Sequence, residues 1–157
     1  MPNDIALIPV HERGGWDEAK QLILEYAAFL KIDLCFQNFE KELQILPELY
    51  GLPDGGCLLA AVDGVPVGCV AFKKLSQDTA EMKRLYVRDS FRGLGIGKQL
   101  AYAIVECARE RGYAFMRLDT IPQLADAVRL YERMGFYAIP PYTYNPSPDT
   151  LYMEKKL

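Results

Sequence analysis

The stretch Arg92 to Gly97, RGLGIG, sets three glycines between a strand-like run and an amphipathic helical run, and it constrains the fold more than any other segment. Backbone N–H groups in such a loop open onto the positive end of the following helix and form a natural anion site. A phosphate is the expected occupant, which points to a phosphorylated cofactor. Spacing narrows the choice. A Walker loop requires GxxxxGK[ST], whereas here Gly93 and Gly97 enclose three residues and Lys98 is followed by Gln99. A dinucleotide fingerprint requires GxGxxG directly after a first strand, and this loop reads GxGxG late in the chain. A glycine turn with no ligand remains the alternative.

The segments around the loop predict the rest of the architecture. Asp4 to Val10 reads as a strand, Gly14 and Gly15 break it, and Asp17 is placed to cap a helix. Ala19, Leu22, Ile23, Tyr26, Ala27 and Leu30 recur at three- and four-residue spacing, one apolar face of that helix. A second helix is predicted from Gln37 to Tyr50, striped by Phe36, Phe39, Leu43 and Leu46, with Pro47 disturbing its last turn. Then CLLAAV, VPVGCVAFKKL and AEMKRLYV form an antiparallel meander, its first turn marked by Asp63-Gly64. A helix from Gly97 to Arg111 leads to the strand FMRLDT, and the right-handed crossover makes AEMKRLYV and FMRLDT parallel. A last helix, Gln123 to Met134, and the strands FYAI and TLYMEKKL follow, separated by the loop PPYTYNPSPD. The expected class is α+β, one domain over residues 1–157, with a mostly antiparallel mixed sheet of about six or seven strands and about four helices.

The run EMKRLYVRDSFRGLGIGKQL, followed by LYERMGF, resembles the GNAT superfamily of acyl-CoA N-acetyltransferases, whose signature is an R/Q-x-x-G-x-G/A loop after a strand. The resemblance spans roughly Leu58 to the C-terminus. It implies that the pyrophosphate of coenzyme A rests on Arg92, Gly93, Leu94, Gly95, Ile96 and Gly97 with Lys98 beside them. It also implies that the pantetheine arm pairs with the backbone of Leu85, Tyr86 and Val87 where two parallel strands splay apart. A backbone N–H there would polarise the thioester carbonyl. One departure stands out: many members carry an asparagine three residues before the alanine of the last helix, and counted back from Ala127 this chain has Leu124.

Acetyl transfer from acetyl-CoA to an amine, through a tetrahedral intermediate, needs a neutral amine and a protonated leaving thiol, so two proton-handling groups suffice. Tyr131 shares a helical stripe with Leu124, Ala127 and Val128, which turns its phenol inward, and the resemblance makes it the donor to the coenzyme A sulfur. The alternative is a core tyrosine bonded to a carbonyl. Glu81 lies four residues before Leu85 and is the candidate base, directly or through water; otherwise it is a strand glutamate paired with Lys83. Strand alternation groups Glu81 with Lys83, Leu85 and Val87. Asp119 and Asp33 are further candidates, and an ordered water chain could replace a single base.

The acceptor pocket is expected between the helix junction Phe29 to Phe36 and the loop Pro140 to Pro148, where prolines stiffen the display of Tyr142, Tyr144 and Asn145. The expected acceptor is a primary amine of a small molecule; the alternatives are a protein N-terminus or lysine, or a non-catalytic acyl-CoA-binding module. No acidic cluster marks a polyamine site.

A net charge of −3 argues against sequence-independent nucleic-acid binding, although Lys73, Lys74, Lys83, Arg84, Arg88, Arg92 and Lys98 suggest a local basic field around the loop. His11 is the only histidine, and Cys35, Cys57, Cys69 and Cys107 lack metal-site spacing, so no metal is expected and the cysteines read as reduced core residues. With no signal-peptide pattern and no apolar run of membrane-spanning length, a cytoplasmic protein without membrane contact is expected. Relatives commonly pair as dimers, and a homodimer is possible here too.

Overall fold

A computed structural model describes residues 4–30 and 38–157. At the Asp63-Gly64 turn both residues take positive φ, 50° and 84°, which matches the twist of the two flanking strands. Those strands are β2 (Gly56–Val62) and β3 (Val65–Lys74), and β4 (Thr79–Val87) completes the expected meander. The strand β1 (Ile5–Pro9) pairs antiparallel with β2 on the outer side. The helix α5 (Ile96–Glu110) crosses over to β5 (Phe115–Thr120), which runs parallel to β4. Two antiparallel strands finish a seven-stranded sheet in the order β1-β2-β3-β4-β5-β7-β6, with β6 at Tyr137–Ala138 and β7 at Leu151–Lys156.

Helices cover both faces. On one side α5 and α6 (Ala125–Arg133) pack on Val70, Phe72, Ala80, Met82, Met116 and Leu118, in a core that includes Leu100, Ile104, Leu130 and Tyr131. On the other side α2 (Trp16–Leu30) and α4 (Leu46–Tyr50) bury Leu22, Ile23, Leu46 and Tyr50 against Leu59, Cys69 and Ala71. Two shorter helices are α1 (Val10–Arg13), which has no periodic signal, and α3 (Phe39–Gln44).

The expected Gln37–Tyr50 helix is two pieces, because Ile45 leaves helical geometry and Pro47 sits in the first turn of α4, where its missing N–H costs nothing. Gln37, like Asp33, Cys35 and Phe36, lies outside the described residues. Asp17 does not cap α2; it lies inside the first turn with Glu18, where acidic groups favour the helix dipole. His11 is structural: its buried ring accepts the Cys57 N–H at Nδ1, 3.1 Å away. Cys57 and Cys69 are buried free thiols and Cys107 is half-buried.

The irregularity that matters most is in β4. Cys69 pairs with Tyr86 but Ala71 pairs with Lys83, so Arg84 and Leu85 together oppose Val70. This is a β-bulge, and Arg84 occupies it in the left-handed region at φ 63°. The bulge overturns the simple alternation expected from sequence. Leu85 and Val87 turn to the α5 face, whereas Glu81 and Tyr86 lie on the α2 face, where Lys73 and Tyr26 meet them.

Candidate active site

Parallel pairing of β4 with β5 ends after three residue pairs, the last being Glu81 with Arg117. Beyond it the strands diverge. A strand carrying a bulge bends and twists away from its neighbour, and here the bend opens a wedge lined by Lys83, Leu85, Asp119, Thr120, Leu124, Ala127, Tyr131 and Asn145. The wedge continues into a cleft of about 600 Å³ under the glycine loop, lined by Leu85, Tyr86, Val87, Arg92, Gly93, Gly95, Ile96, Gly97 and Lys98. Tyr26, Leu85, Leu124 and Ala127 line both.

The glycine loop has the geometry its sequence predicts. Gly93 and Gly95 hold φ of 81° and 80°, and Gly95 is the N-cap of α5. No side chain caps this helix, so its first N–H groups face the cleft. A side chain at Gly97 would meet only Val87 Cγ2 at 3.8 Å, an ordinary contact. Packing inside the protein therefore does not demand glycine at 97. Gly68 differs: a Cβ there would press on the Tyr86 carbonyl at 2.9 Å, so this glycine serves the sheet.

Arg92 is folded back onto the protein. Its guanidinium lies 4.3 Å from the Phe29 ring centre, and its Nε donates to the Val87 carbonyl at 3.0 Å. The basic field expected around the loop is mostly consumed elsewhere. Arg88 makes a two-pronged pair with Glu25 on α2, Lys73 lies 3.8 Å from Glu81, and Arg84 is buried against Glu42. Among the expected cations Arg92 and Lys98 line the cleft, and Arg129 and Arg133 of α6 join them unforeseen.

Tyr131 is buried on α6, stacked edge-on against Phe136 at 5.6 Å, and it lines the wedge. Burial raises its proton affinity well above that of an ordinary phenol, so it is a protonated donor at neutral pH. Glu81 is also buried, but it is not a wedge-lining residue: Tyr142 donates to its Oε2 at 2.7 Å. Asp119 does line the wedge, on the α2 face, held by a 3.2 Å hydrogen bond from Asn145 Nδ2. Leu124, in place of the asparagine, contributes an apolar wall to cleft and wedge alike.

Sequence reasoning missed Glu42 and its partner. Arg84 Nε and a second guanidinium nitrogen donate to the two Glu42 oxygens at 2.9 and 2.7 Å, with both side chains almost fully buried. The pair ties α3 to the bulge that opens the wedge. The partners are 42 positions apart, so no local pattern announces them.

The profile of the Acetyltransferase (GNAT) family matches residues 18–136. This chain belongs to that family. Across nearly its whole length the GNAT chain is similar to an uncharacterised N-acetyltransferase of Schizosaccharomyces pombe, with 39% identity over 99% of this chain and 97% of the relative. A GNAT acetyltransferase structure from Staphylococcus aureus superimposes with a TM-score of 0.78, covering 98% of this chain and 99% of that one at 22% identity. Another, from Elizabethkingia anophelis with acetyl-CoA bound, gives 0.59 over 73% of this chain and 82% of that one at 20% identity. By family the GNAT chain is thus an acetyltransferase, and its relative across nearly its whole length is named as an N-acetyltransferase. Among its described residues no helix is long and apolar enough to cross a membrane, and no cluster of metal ligands occurs.

Proposed function

We propose that this enzyme acetylates the primary amine of a small molecule, with Tyr131 as the proton donor to the leaving sulfur. The observation that carries the reading is that the glycine-loop cleft and the wedge share lining residues: a ligand anchored at Arg92–Lys98 has a path inward along Leu85–Val87, with Tyr131 lining the wedge it enters. Acetyl-CoA supplies a thioester whose carbonyl is open to attack and whose sulfur needs a proton on leaving. Backbone N–H groups of Gly93–Gly97 and the α5 N-terminus favour the diphosphate, and Lys98 adds a positive charge beside it. Leu85 and Tyr86 offer main-chain groups on a strand edge that β5 has left, so an extended amide-bearing arm can pair there.

A small acceptor is favoured by the loop that closes the α2 face. Tyr142 and Asn145 fasten the segment 139–150 to Glu81 and Asp119, which narrows the approach to the wedge and favours a small acceptor over a protein chain. Within this proposal Glu81 handles a proton only through, or after displacement of, the Tyr142 phenol. The free buried thiols support a reducing, cytoplasmic setting. The test is release of free coenzyme A thiol from acetyl-CoA in the presence of a panel of small primary amines and, separately, of peptides with free N-termini. Turnover confined to small amines is expected; turnover with peptides alone would overturn the acceptor assignment.

A further inference from the structure

Three groups outside the main argument could engage a ligand: the Arg129 and Arg133 pair on α6, the buried Glu42–Arg84 pair, and the carboxylate of Asp119. The first lines the coenzyme A cleft already described, and the second is sealed within the fold. The third is different. Resting on the acetyltransferase reading above, we infer that Asp119 is the carboxylate that recognises the acceptor's ammonium, so that the acceptor is an amine arriving as a cation on the α2 side of the wedge.

The inference follows from the two faces of the sheet. Met116 and Leu118 of β5 point into the α5–α6 core, so Asp119 stands on the opposite face with Arg117. It is thus separated from the cofactor side by the plane of the sheet and exposed where the two strands have parted. Among the described residues, Asp119 is the wedge's one carboxylate. Glu81 lies at the closed end, with one oxygen taken by Tyr142 at 2.7 Å and the other 3.8 Å from Lys73. A buried carboxylate so engaged offers little to an incoming cation. Asp119 is half-buried and, among the described residues, accepts a hydrogen bond at Oδ2 from Asn145, a neutral amide that orients the carboxylate without cancelling its charge.

The surroundings suit a cation that carries its own hydrogens. Tyr26 and Tyr131 also line the wedge, and a phenol oxygen can accept from an ammonium as well as donate. Lys83 faces the same space and is the strongest local argument against a positive ligand. Burial, the larger effect, favours its neutral form, while Glu81 and Asp119 both attract whatever charge it carries, so a neutral Lys83 leaves Asp119 to the ligand. The wedge is small, about 70 Å³, so an amine head fits but a bulky group does not, and the remainder of the acceptor must extend past Asn145 towards the surface.

The experiment compares two coenzyme A thioethers by calorimetric titration: S-(2-aminoethyl)-coenzyme A, which carries an ammonium just past the sulfur, and S-propyl-coenzyme A, its neutral counterpart. The parent protein is expected to bind the ammonium thioether at least roughly tenfold more tightly, the scale of a charge-assisted hydrogen bond. Asp119→Asn should abolish that preference while leaving the S-propyl affinity unchanged, which also shows that the variant is folded. Glu81→Gln should retain the preference. Equal affinities in the parent, or a preference that survives Asp119→Asn and disappears in Glu81→Gln, would overturn the inference. If neither thioether binds the parent, the cofactor site itself is misassigned, a separate failure.

Discussion

Replacing Glu42 by alanine tests whether the buried pair holds the bulge. In the parent, Glu42 and Arg84 are 5% and 6% exposed and joined by hydrogen bonds of 2.7 and 2.9 Å. Removing the carboxylate leaves a guanidinium inside the protein without its counter-charge, a change that costs about 3–5 kcal/mol. For a domain of this size that lowers Tm by roughly 6–20 °C. Arg84 also sits at φ 63°, where a non-glycine residue carries about 1–3 kcal/mol of strain. The double variant Glu42→Ala/Arg84→Gly removes both the stranded charge and that strain, and it should be more stable than the single variant. Burial alone would raise the Glu42 proton affinity, but the two hydrogen bonds and the charge of Arg84 outweigh it, so its carboxyl titrates below the ordinary range. Its stabilisation is therefore complete above the unfolded value of about 4.3 and is lost as pH falls through the lower folded value. The assay is urea unfolding of the full chain at pH 7 and across the acid range. A Glu42→Ala protein within about 1 kcal/mol of the parent at pH 7, a double variant no more stable than the single, or an unchanged acid dependence would refute the reasoning.

Tyr131→Phe should lower kcat roughly hundredfold with little change in the KM for acetyl-CoA, because the role proposed for the lost group is to protonate the leaving sulfur. Since burial raises the Tyr131 phenol above its usual value, no loss of parent activity attributable to this group is expected below about pH 10 in a pH–rate profile. Tyr142→Phe deprives the buried Glu81 of its hydrogen bond, at a cost of about 1.5–3 kcal/mol, and should speed protease cleavage within 139–150. Cleavage at the parental rate would show that the Tyr142 contact does not fasten the loop. Arg88→Ala breaks the pair with Glu25, whose side chains are 34% and 28% exposed, so thermal unfolding should register a loss under about 1 kcal/mol.

The elements that announce themselves in the sequence are those with local physical causes. Asp63-Gly64 forces a hairpin, Gly93 and Gly95 are needed where φ is positive, and the α5 stripe of Ile96, Leu100, Ile104 and Ala108 faces the core at helical spacing. The features that escaped are products of tertiary context. An arginine gives no signal for left-handed geometry, yet Arg84 takes it at the bulge, where its guanidinium pairs with the buried Glu42. That single bulge shifted the side-chain parity of β4, so Leu85 and Val87 ended on the face opposite Glu81. The strand FYAI shrank to Tyr137–Ala138 because Ile139, although its N–H still reaches the Tyr152 carbonyl, begins the covering loop. For the candidate site, the positive-φ glycine turn and the inward placement of Tyr131 were legible from motif and stripe. Sequence alone could not separate Glu81 from Asp119, since only the divergence of β4 and β5 makes one enclosed and the other available.

The most direct test of the central claim is calorimetric titration of acetyl-CoA into the parent protein and into Gly95→Leu. Gly95 has φ 80° with nothing within 4 Å of its added Cβ, so the substitution strains the backbone and intrudes on the space above the α5 N-terminus without disturbing the core. Saturable binding to the parent that is lost in a Gly95→Leu protein with a cooperative unfolding transition is the predicted result. Undiminished binding by that variant, or no binding by the parent, would contradict the placement of coenzyme A on the glycine loop.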